Sequence, residues 1–114
     1  ESPLIENMIV LGENKKFAAA LISPDFVYLK SWCAKHKLNC KTNEEMIENP
    51  VVVKRFQEEV KHYNSFFGDF EQVKRYQIVP DEWTQQCGFL SPTLKIKRNV
   101  IEAHYAERIE KLFQ

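Results

Sequence analysis

Three cationic side chains occupy four consecutive residues near the end of this sequence: Lys95, Lys97 and Arg98, in the stretch LSPTLKIKR. Pro92 restricts the backbone ahead of them and favours an extended segment. Lys95 and Lys97 alternate around Ile96, so both ammonium groups face outward if Ile96 faces inward. A lysine on such a backbone is a point charge at fixed reach, which suits contact with carboxylate or phosphate oxygens. A solvated basic segment fits the same spacing.

A second pair of cations, Lys74 and Arg75, stands directly before the run that begins at Tyr76. On a strand, two successive side chains point to opposite faces of the sheet. Both a solvated strand start and a phosphate contact fit this arrangement.

Cysteine and histidine residues offer two further kinds of chemistry. Cys33, His36 and Cys40 have spacings that resemble metal ligands, but zinc needs a fourth ligand and no paired CxxC or HxxxH motif supplies it. Cys33 with His36 or His62 could form a thiol nucleophile, for which no third, orienting group is evident. Helical spacing puts Cys33 and His36 on the apolar side of a helix, which favours core packing for both.

The composition argues against several classes of protein. Sixteen basic and sixteen acidic residues give zero formal net charge, which argues against binding nucleic acid through bulk positive charge. Gly12, Gly68 and Gly88 stand alone, so a glycine-rich phosphate loop is excluded. No signal peptide and no apolar run of membrane-spanning length is visible. With an odd number of cysteines, three, we expect a reduced, cytoplasmic setting.

Two apolar runs of strand length predict a β-hairpin near the start of the chain. Residues 8–11 and 17–22 are the runs, and residues 12–16 form the turn between them. Because both runs are continuously apolar, we expect both faces of the hairpin to be covered. Residues 73–79 are a third strand candidate, ended by Pro80.

Helices are predicted from start signals and apolar spacing. Asp25 opens one helix, Thr42 and Glu45 form a possible capping box, and Asn49 precedes Pro50 as an N-cap. The remaining helical features are a helix start at residues 2–6, an apolar stripe of Val52, Phe56, Val60, Tyr63 and Phe67, and a terminal helix at 100–113. The prediction is one small α+β domain over residues 1–114, with a hairpin and a third strand packed by helices.

The large aromatic side chains are numerous for a chain of this size. Most of them fall at helix-core spacing, so packing is the first interpretation. Three of them crowd the end of a helix, where they could also contact another domain. The set is Tyr28, Trp32, Phe66, Phe67, Phe70 and Trp83, and the crowded three are Phe66, Phe67 and Phe70.

Both ends of the sequence resemble the small C-terminal domain of long-chain fatty acyl-CoA synthetases, which belong to the AMP-forming, adenylate-making superfamily. The resemblance runs through residues 88–98 and on to Val100, Ile101 and Tyr105. At the start it covers residues 2–6, 9–12 and 17–26. Phe89 stands where that family commonly has glutamate, and Ser91 where it commonly has threonine.

The resemblance implies a reaction in two halves. A fatty acid reacts with ATP and Mg²⁺ to give an acyl-adenylate and pyrophosphate, and coenzyme A then displaces AMP. The small domain rotates between two poses, one for each half. Lys95 matches the motif lysine that contacts the fatty-acid carboxylate and the α-phosphate. Lys97 and Arg98 match its trailing cations, which the resemblance implies as phosphate or coenzyme A contacts. Lys74 or Arg75 stands where some members of the superfamily place a contact with the coenzyme A nucleotide.

The ATP phosphate loop and the hinge aspartate of that family do not occur in this sequence. We therefore expect a fragment that is inactive alone, whose first partner is its own N-terminal adenylating domain, and whose parent is cytoplasmic and could associate peripherally with a membrane. Two alternatives from other classes stay open. One is a free-standing interaction module that docks a partner through its aromatic residues, and the other is a small nucleic-acid binder using Lys95, Lys97 and Arg98.

Overall fold

The computed structural model describes residues 3–12, 17–68 and 72–114. Three strands and five helices are present in this part of the chain. Their bounds, in chain order, are β1 Ile5–Leu11, β2 Ala18–Pro24, α1 Phe26–Lys35, α2 Asn43–Glu48, α3 Pro50–Asn64, β3 Val73–Ile78, α4 Arg98–His104 and α5 Ala106–Leu112. The predicted helix cap Ser2, the turn residues 13–16 and the aromatic Phe70 lie outside the described residues.

The three strands form one sheet in the order β1-β2-β3. β1 and β2 are antiparallel, with Met8 opposite Ile22, which confirms the predicted hairpin. β3 confirms the third strand and runs parallel to β2, with Ala20 opposite Tyr76. A parallel neighbour requires a long crossover, and α1, α2 and α3 supply it.

Side chains alternate across the sheet and build a core on each face. On one face, Ala20 and Ile22 of β2 pack with residues of α1, α2 and α3, among them Phe56. On the other face, Ala19 and Leu21 pack with residues that follow β3 and with α4 and α5. β1 also contacts both cores, so the expectation that both faces of the hairpin are covered is confirmed.

The helix starts agree with the sequence signals. The Asp25 carboxylate accepts a hydrogen bond from the backbone of Tyr28 and caps α1. Thr42 and Glu45 form a reciprocal capping box at α2, and Asn49 caps α3 ahead of Pro50. The α3 stripe is buried as far as Val60, whereas Phe67 lies beyond the end of the helix and is exposed.

Two helix predictions are wrong. Residues 5 and 6 belong to β1 and not to a helix, because Ile5 pairs with Pro24 and the backbone of Asp25 donates to Leu4. The C-terminal segment is two helices that meet at Tyr105, not one helix from residue 100 to 113.

The prediction that His36 packs in the core is also wrong. His36 is exposed at the end of α1, with its ring stacked on Trp32 at 3.9 Å between centroids, rather than packed in the core. None of the helices within the described ranges is long and apolar enough to cross a membrane.

Candidate functional site

Residues 89–97 form a small two-stranded hairpin that carries Lys95, and we call it the lysine hairpin. Leu90 and Ile96 pair in antiparallel fashion, and the Lys97 backbone donates to Phe89 at 2.8 Å. Nearer the tip, the Ser91 backbone donates to the Lys95 carbonyl at 2.8 Å. The tip is therefore a three-residue loop, residues 92–94, and Lys95 is the first residue of the returning strand.

The tip is a turn rather than the extended segment expected from Pro92. The Leu94 backbone donates to the Ser91 carbonyl at 2.8 Å, which closes a four-residue turn with Pro92 at its second position. The Ser91 hydroxyl lies 3.0 Å from that of Thr93 and accepts a 3.1 Å hydrogen bond from the Lys95 backbone. The backbone N–H and C=O of Lys95 are thus both hydrogen-bonded to Ser91, on the opposite strand of the hairpin.

Leu94 adopts a left-handed backbone conformation, with φ at 63°. A turn followed by one left-handed residue is a common three-residue hairpin loop, in which glycine usually occupies the left-handed position. No signal in the sequence predicts this feature, because leucine rarely adopts positive φ.

The base of the lysine hairpin is anchored in the core. Phe89 is buried, and its ring packs against His104 and Tyr105 at centroid distances of 5.0 and 6.0 Å. Tyr105 is buried too, and its hydroxyl accepts a hydrogen bond from the indole of Trp83 at 3.1 Å and donates one to Asp81 at 2.8 Å. Burial raises the pKa of this phenol strongly, so it stays protonated and able to donate.

The three cations of the opening motif have different surroundings. Lys95 and Lys97 are exposed, and Ile96 between them is half-buried, which confirms the alternation expected from the sequence. No carboxylate of the described residues forms an ion pair with either ammonium group. Arg98, in contrast, donates to the carbonyl of Val10 and forms a 3.3 Å ion pair with Glu102.

Lys74 and Arg75 lie on opposite faces of β3, as expected. Lys74 borders a shallow cleft along α3 that also includes Lys61. Arg75 points to the other side, where it donates to the carbonyls of Leu112 and Gln114 and lies 4.9 Å from the centre of the Phe17 ring. Both cations are exposed, and neither forms an ion pair with a described residue. They differ because Arg75 donates hydrogen bonds to backbone carbonyls, whereas the ammonium group of Lys74 makes no such contact within the described residues.

The cysteine and histidine residues do not converge on one site. Cys33 is buried, and burial with the neighbouring Cys40 raises the pKa of its thiol to about 11. A buried thiol of raised pKa is poorly suited to act as a thiolate nucleophile. His62 is exposed and packs edge-on against Phe66 at 5.2 Å. In the described ranges, no group of three or more His, Cys, Asp and Glu residues is arranged to hold a metal ion.

Comparison with known proteins identifies the domain. A profile of the family described as AMP-binding enzyme C-terminal domain matches residues 1–114. The chain belongs to this family. The AMP-binding enzyme C-terminal domain described here is 28% identical, over 97% of its length, to a long-chain-fatty-acid–CoA ligase of Mycobacterium tuberculosis. It is 31% identical, over 96% of its length, to long-chain-fatty-acid–CoA ligase 6 of Homo sapiens. The domain spans 19% and 16% of the lengths of these two relatives.

Solved structures share the fold of this C-terminal domain. One is the A-PCP didomain of a carboxylic acid reductase from Segniliparus rugosus in complex with AMP, with a TM-score of 0.69 and 21% identity. That match covers 96% of this domain and 14% of the solved chain. Another is the adenylation domain of a carboxylate reductase from Mycobacterium chelonae, with a TM-score of 0.65, 21% identity, and coverage of 98% and 16%. The α+β fold is that of the C-terminal region of adenylation domains.

Proposed function

We propose that this domain is the C-terminal part of an ATP-dependent, AMP-forming long-chain fatty acyl-CoA synthetase, in which Lys95 serves the first half-reaction. The observation that carries the proposal is the placement of Lys95. Its ammonium group is exposed and free of carboxylate partners in the described part of the chain, while the hairpin beneath it is anchored by buried Phe89. A free cation on a rigid support is suited to meet anions supplied from outside the domain.

In the proposed first half-reaction, a carboxylate oxygen of the fatty acid attacks the α-phosphorus of ATP. The bond from that phosphorus to the pyrophosphate oxygen breaks, so the products are acyl-adenylate and pyrophosphate. The two reactants are both anionic and repel each other. The Lys95 ammonium keeps its proton throughout, aligns the carboxylate with the α-phosphate and stabilises the charge that develops between them.

In the proposed second half-reaction, the thiolate sulfur of coenzyme A attacks the acyl carbon and AMP leaves. Lys95 has no part in this step, and the domain rotates so that another of its surfaces faces the substrates. Lys74 is the residue we propose for contact with a coenzyme A phosphate, because it is exposed and unpaired in the described ranges. Arg75 and Arg98 already donate hydrogen bonds to backbone carbonyls, so we propose that they stabilise the folded domain.

The principal partner of the domain is then the adenylating part of the same enzyme, which binds fatty acid, ATP and Mg²⁺. Residues 89–97 contain no Asp or Glu, and carboxylates are the usual protein ligands of Mg²⁺. The lysine hairpin is thus suited to contact the substrate anions directly and not through the metal ion. We expect the 114-residue chain alone to catalyse no fatty-acid-dependent pyrophosphate exchange.

The test uses the full-length synthetase with Lys95→Ala, and with Lys97→Ala as a matched control. Adenylate formation is measured by fatty-acid-dependent pyrophosphate exchange, and thioester formation is measured from preformed acyl-adenylate. Lys95→Ala should lower the first rate by about 10²-fold or more and leave the second unchanged. Lys97→Ala, which removes an exposed charge two residues away, should lower the rate of adenylate formation much less. Survival of both half-reactions in Lys95→Ala would refute the proposal.

One observation favours the alternative of a protein-interaction module. Phe66 is 72% exposed and Phe67 is 41% exposed beside a cleft that includes Met8 and Tyr63. Exposed aromatic groups of this kind mark contact surfaces. The alternative requires a gene whose product has no adenylating domain, so the reading frame upstream of Glu1 distinguishes it from the proposed synthetase.

A further inference from the structure

Leu94 combines an unfavourable backbone with an exposed apolar side chain. Its φ of 63° brings the β-carbon close to its own backbone, which disfavours this region for every residue except glycine and, to a lesser degree, asparagine and aspartate. The turn imposes this conformation, because the Leu94 N–H donates to the Ser91 carbonyl while the Ser91 N–H donates to the Lys95 carbonyl. Glycine would satisfy the same hydrogen bonds without the steric conflict.

The side chain of Leu94 packs little against the rest of this domain. It is 67% exposed, whereas Leu90 and Ile96, the paired residues of the same hairpin, are half-buried. Pro92 and Thr93, the other residues of the tip, are exposed as well. An apolar group is thus presented at the tip of the hydrogen-bonded hairpin, directly before the residue proposed to contact the fatty-acid carboxylate.

We infer that Leu94 is a positioning residue for Lys95, and that its side chain docks on the apolar wall beside the fatty-acid carboxylate in the adenylating part of the enzyme. The inference rests on the proposed function. Its physical basis is the shape of the substrate: a fatty acid joins its carboxylate directly to a hydrocarbon chain. A cation that contacts the carboxylate therefore has apolar surface close by, and the Cα atom of Leu94 is about 3.8 Å from that of Lys95.

The occupant of this contact belongs to the same enzyme. The relatives extend far beyond the region they share with this domain, which spans 19% of one and 16% of another. Docking of Leu94 would bury its exposed side chain and fix the hairpin relative to the substrate. It would also align Lys95 only in the pose used for adenylate formation.

Three substitutions distinguish the effect of the Leu94 backbone conformation from the effect of its side chain. Leu94→Gly relieves the positive φ and removes the side chain. Leu94→Ala removes the side-chain atoms beyond the β-carbon and retains the steric conflict of the β-carbon with the backbone. Leu94→Met retains an apolar side chain of similar size. Each variant is made in the 114-residue chain for urea unfolding, and in the full-length synthetase for the two half-reactions with a long-chain fatty acid.

We expect Leu94→Gly to unfold at a higher urea concentration than wild type, and Leu94→Ala to unfold at an unchanged one. Both should lower the rate of adenylate formation by about 10-fold to 100-fold, since misplacement of a catalytic group by an ångström has this effect. The KM for ATP and the rate of thioester formation from preformed adenylate should not change. Leu94→Met should form adenylate at nearly the wild-type rate.

Several results would overturn the inference, and they differ from failure of the proposed function. An unchanged rate of adenylate formation in Leu94→Ala, alongside a loss in Lys95→Ala, overturns the inference alone. An equal loss in both half-reactions of Leu94→Ala shows a general structural role and overturns it as well. Unchanged rates in both Leu94→Ala and Lys95→Ala overturn the proposed function and the inference together.

Discussion

The hydroxyl of Tyr105 donates a 2.8 Å hydrogen bond to the carboxylate of Asp81, and this bond joins the junction of α4 and α5 to the loop that follows β3. The same oxygen accepts from the buried indole of Trp83 at 3.1 Å. The backbone carbonyl of Asp81 in turn accepts from the hydroxyl of Ser23 in the central strand at 2.8 Å. The network fixes the ring on which Phe89, at the base of the lysine hairpin, packs.

Loss of the Tyr105 hydroxyl should destabilise the domain. In Tyr105→Phe the buried Trp83 N–H has no acceptor, and we expect a free energy of unfolding lower by about 1 to 3 kcal/mol. Urea unfolding of the 114-residue chain measures the change. Tyr76→Phe is the matched control, because no hydrogen bond of the Tyr76 hydroxyl is formed with the described residues, and it should stay within about 0.5 kcal/mol of wild type. Equal losses in the two variants would argue against the network.

Alanine at Gly12 should be more harmful than alanine at Gly88. Both glycines have positive φ, 139° and 83°, so both substitutions strain the backbone. A β-carbon at Gly12 would lie 2.7 Å from the carbonyl oxygen of Phe17, whereas one at Gly88 would meet no atom within 4 Å. Gly88→Ala should cost about 1 to 2 kcal/mol from backbone strain alone, and Gly12→Ala more. Urea midpoints in the reversed order would contradict the steric argument.

Lys74 should have a role in binding and Arg75 a role in stability. Arg75→Ala removes hydrogen bonds to the last turn of the chain and the contact with Phe17, and should lower stability by about 1 kcal/mol or more. Lys74→Ala should leave stability within about 0.5 kcal/mol of wild type. In the full-length synthetase, Lys74→Ala should raise the KM for coenzyme A and leave pyrophosphate exchange unchanged. An unaltered KM for coenzyme A would exclude Lys74 from that contact.

The buried thiol of Cys33 should make the domain less stable in alkali. Its pKa is raised from 9.0 to about 11, chiefly by burial, so the folded state retains a proton that the unfolded state releases. The stabilising effect is complete below pH 9 and is lost as the pH rises from about 9 through 11. Cys33→Ala should show a smaller fall in urea midpoint between pH 8 and pH 10.5 than wild type does, because it lacks the thiol.

The exposed Cys87 provides the control for this pH dependence. Cys87→Ala should lose stability between the two pH values as steeply as wild type does. A slope that is the same in Cys33→Ala and in wild type would mean that other groups, such as the buried phenol of Tyr105, account for the alkaline loss.

Local sequence signals determined the features that depend on neighbours a few residues apart. The capping box of Thr42 and Glu45 and the start of α3 at Pro50 need only contacts within one helical turn. The hairpin of β1 and β2 follows from two apolar runs close together in the chain, and the outward direction of Lys95 and Lys97 follows from alternation around Ile96.

Only the tertiary structure decided the features that depend on distant parts of the chain. Ile5 became strand because Pro24 lies opposite it, and Tyr105 interrupts the last helix where it meets Asp81. Arg98, one of three similar cations by sequence, is drawn to the carbonyl of Val10, which is 88 residues away. Leu94 is left-handed because hydrogen bonds across the lysine hairpin outweigh its own preference. Spacing determines which side chains share a face, whereas pairing between distant segments determines which of them remain free to act.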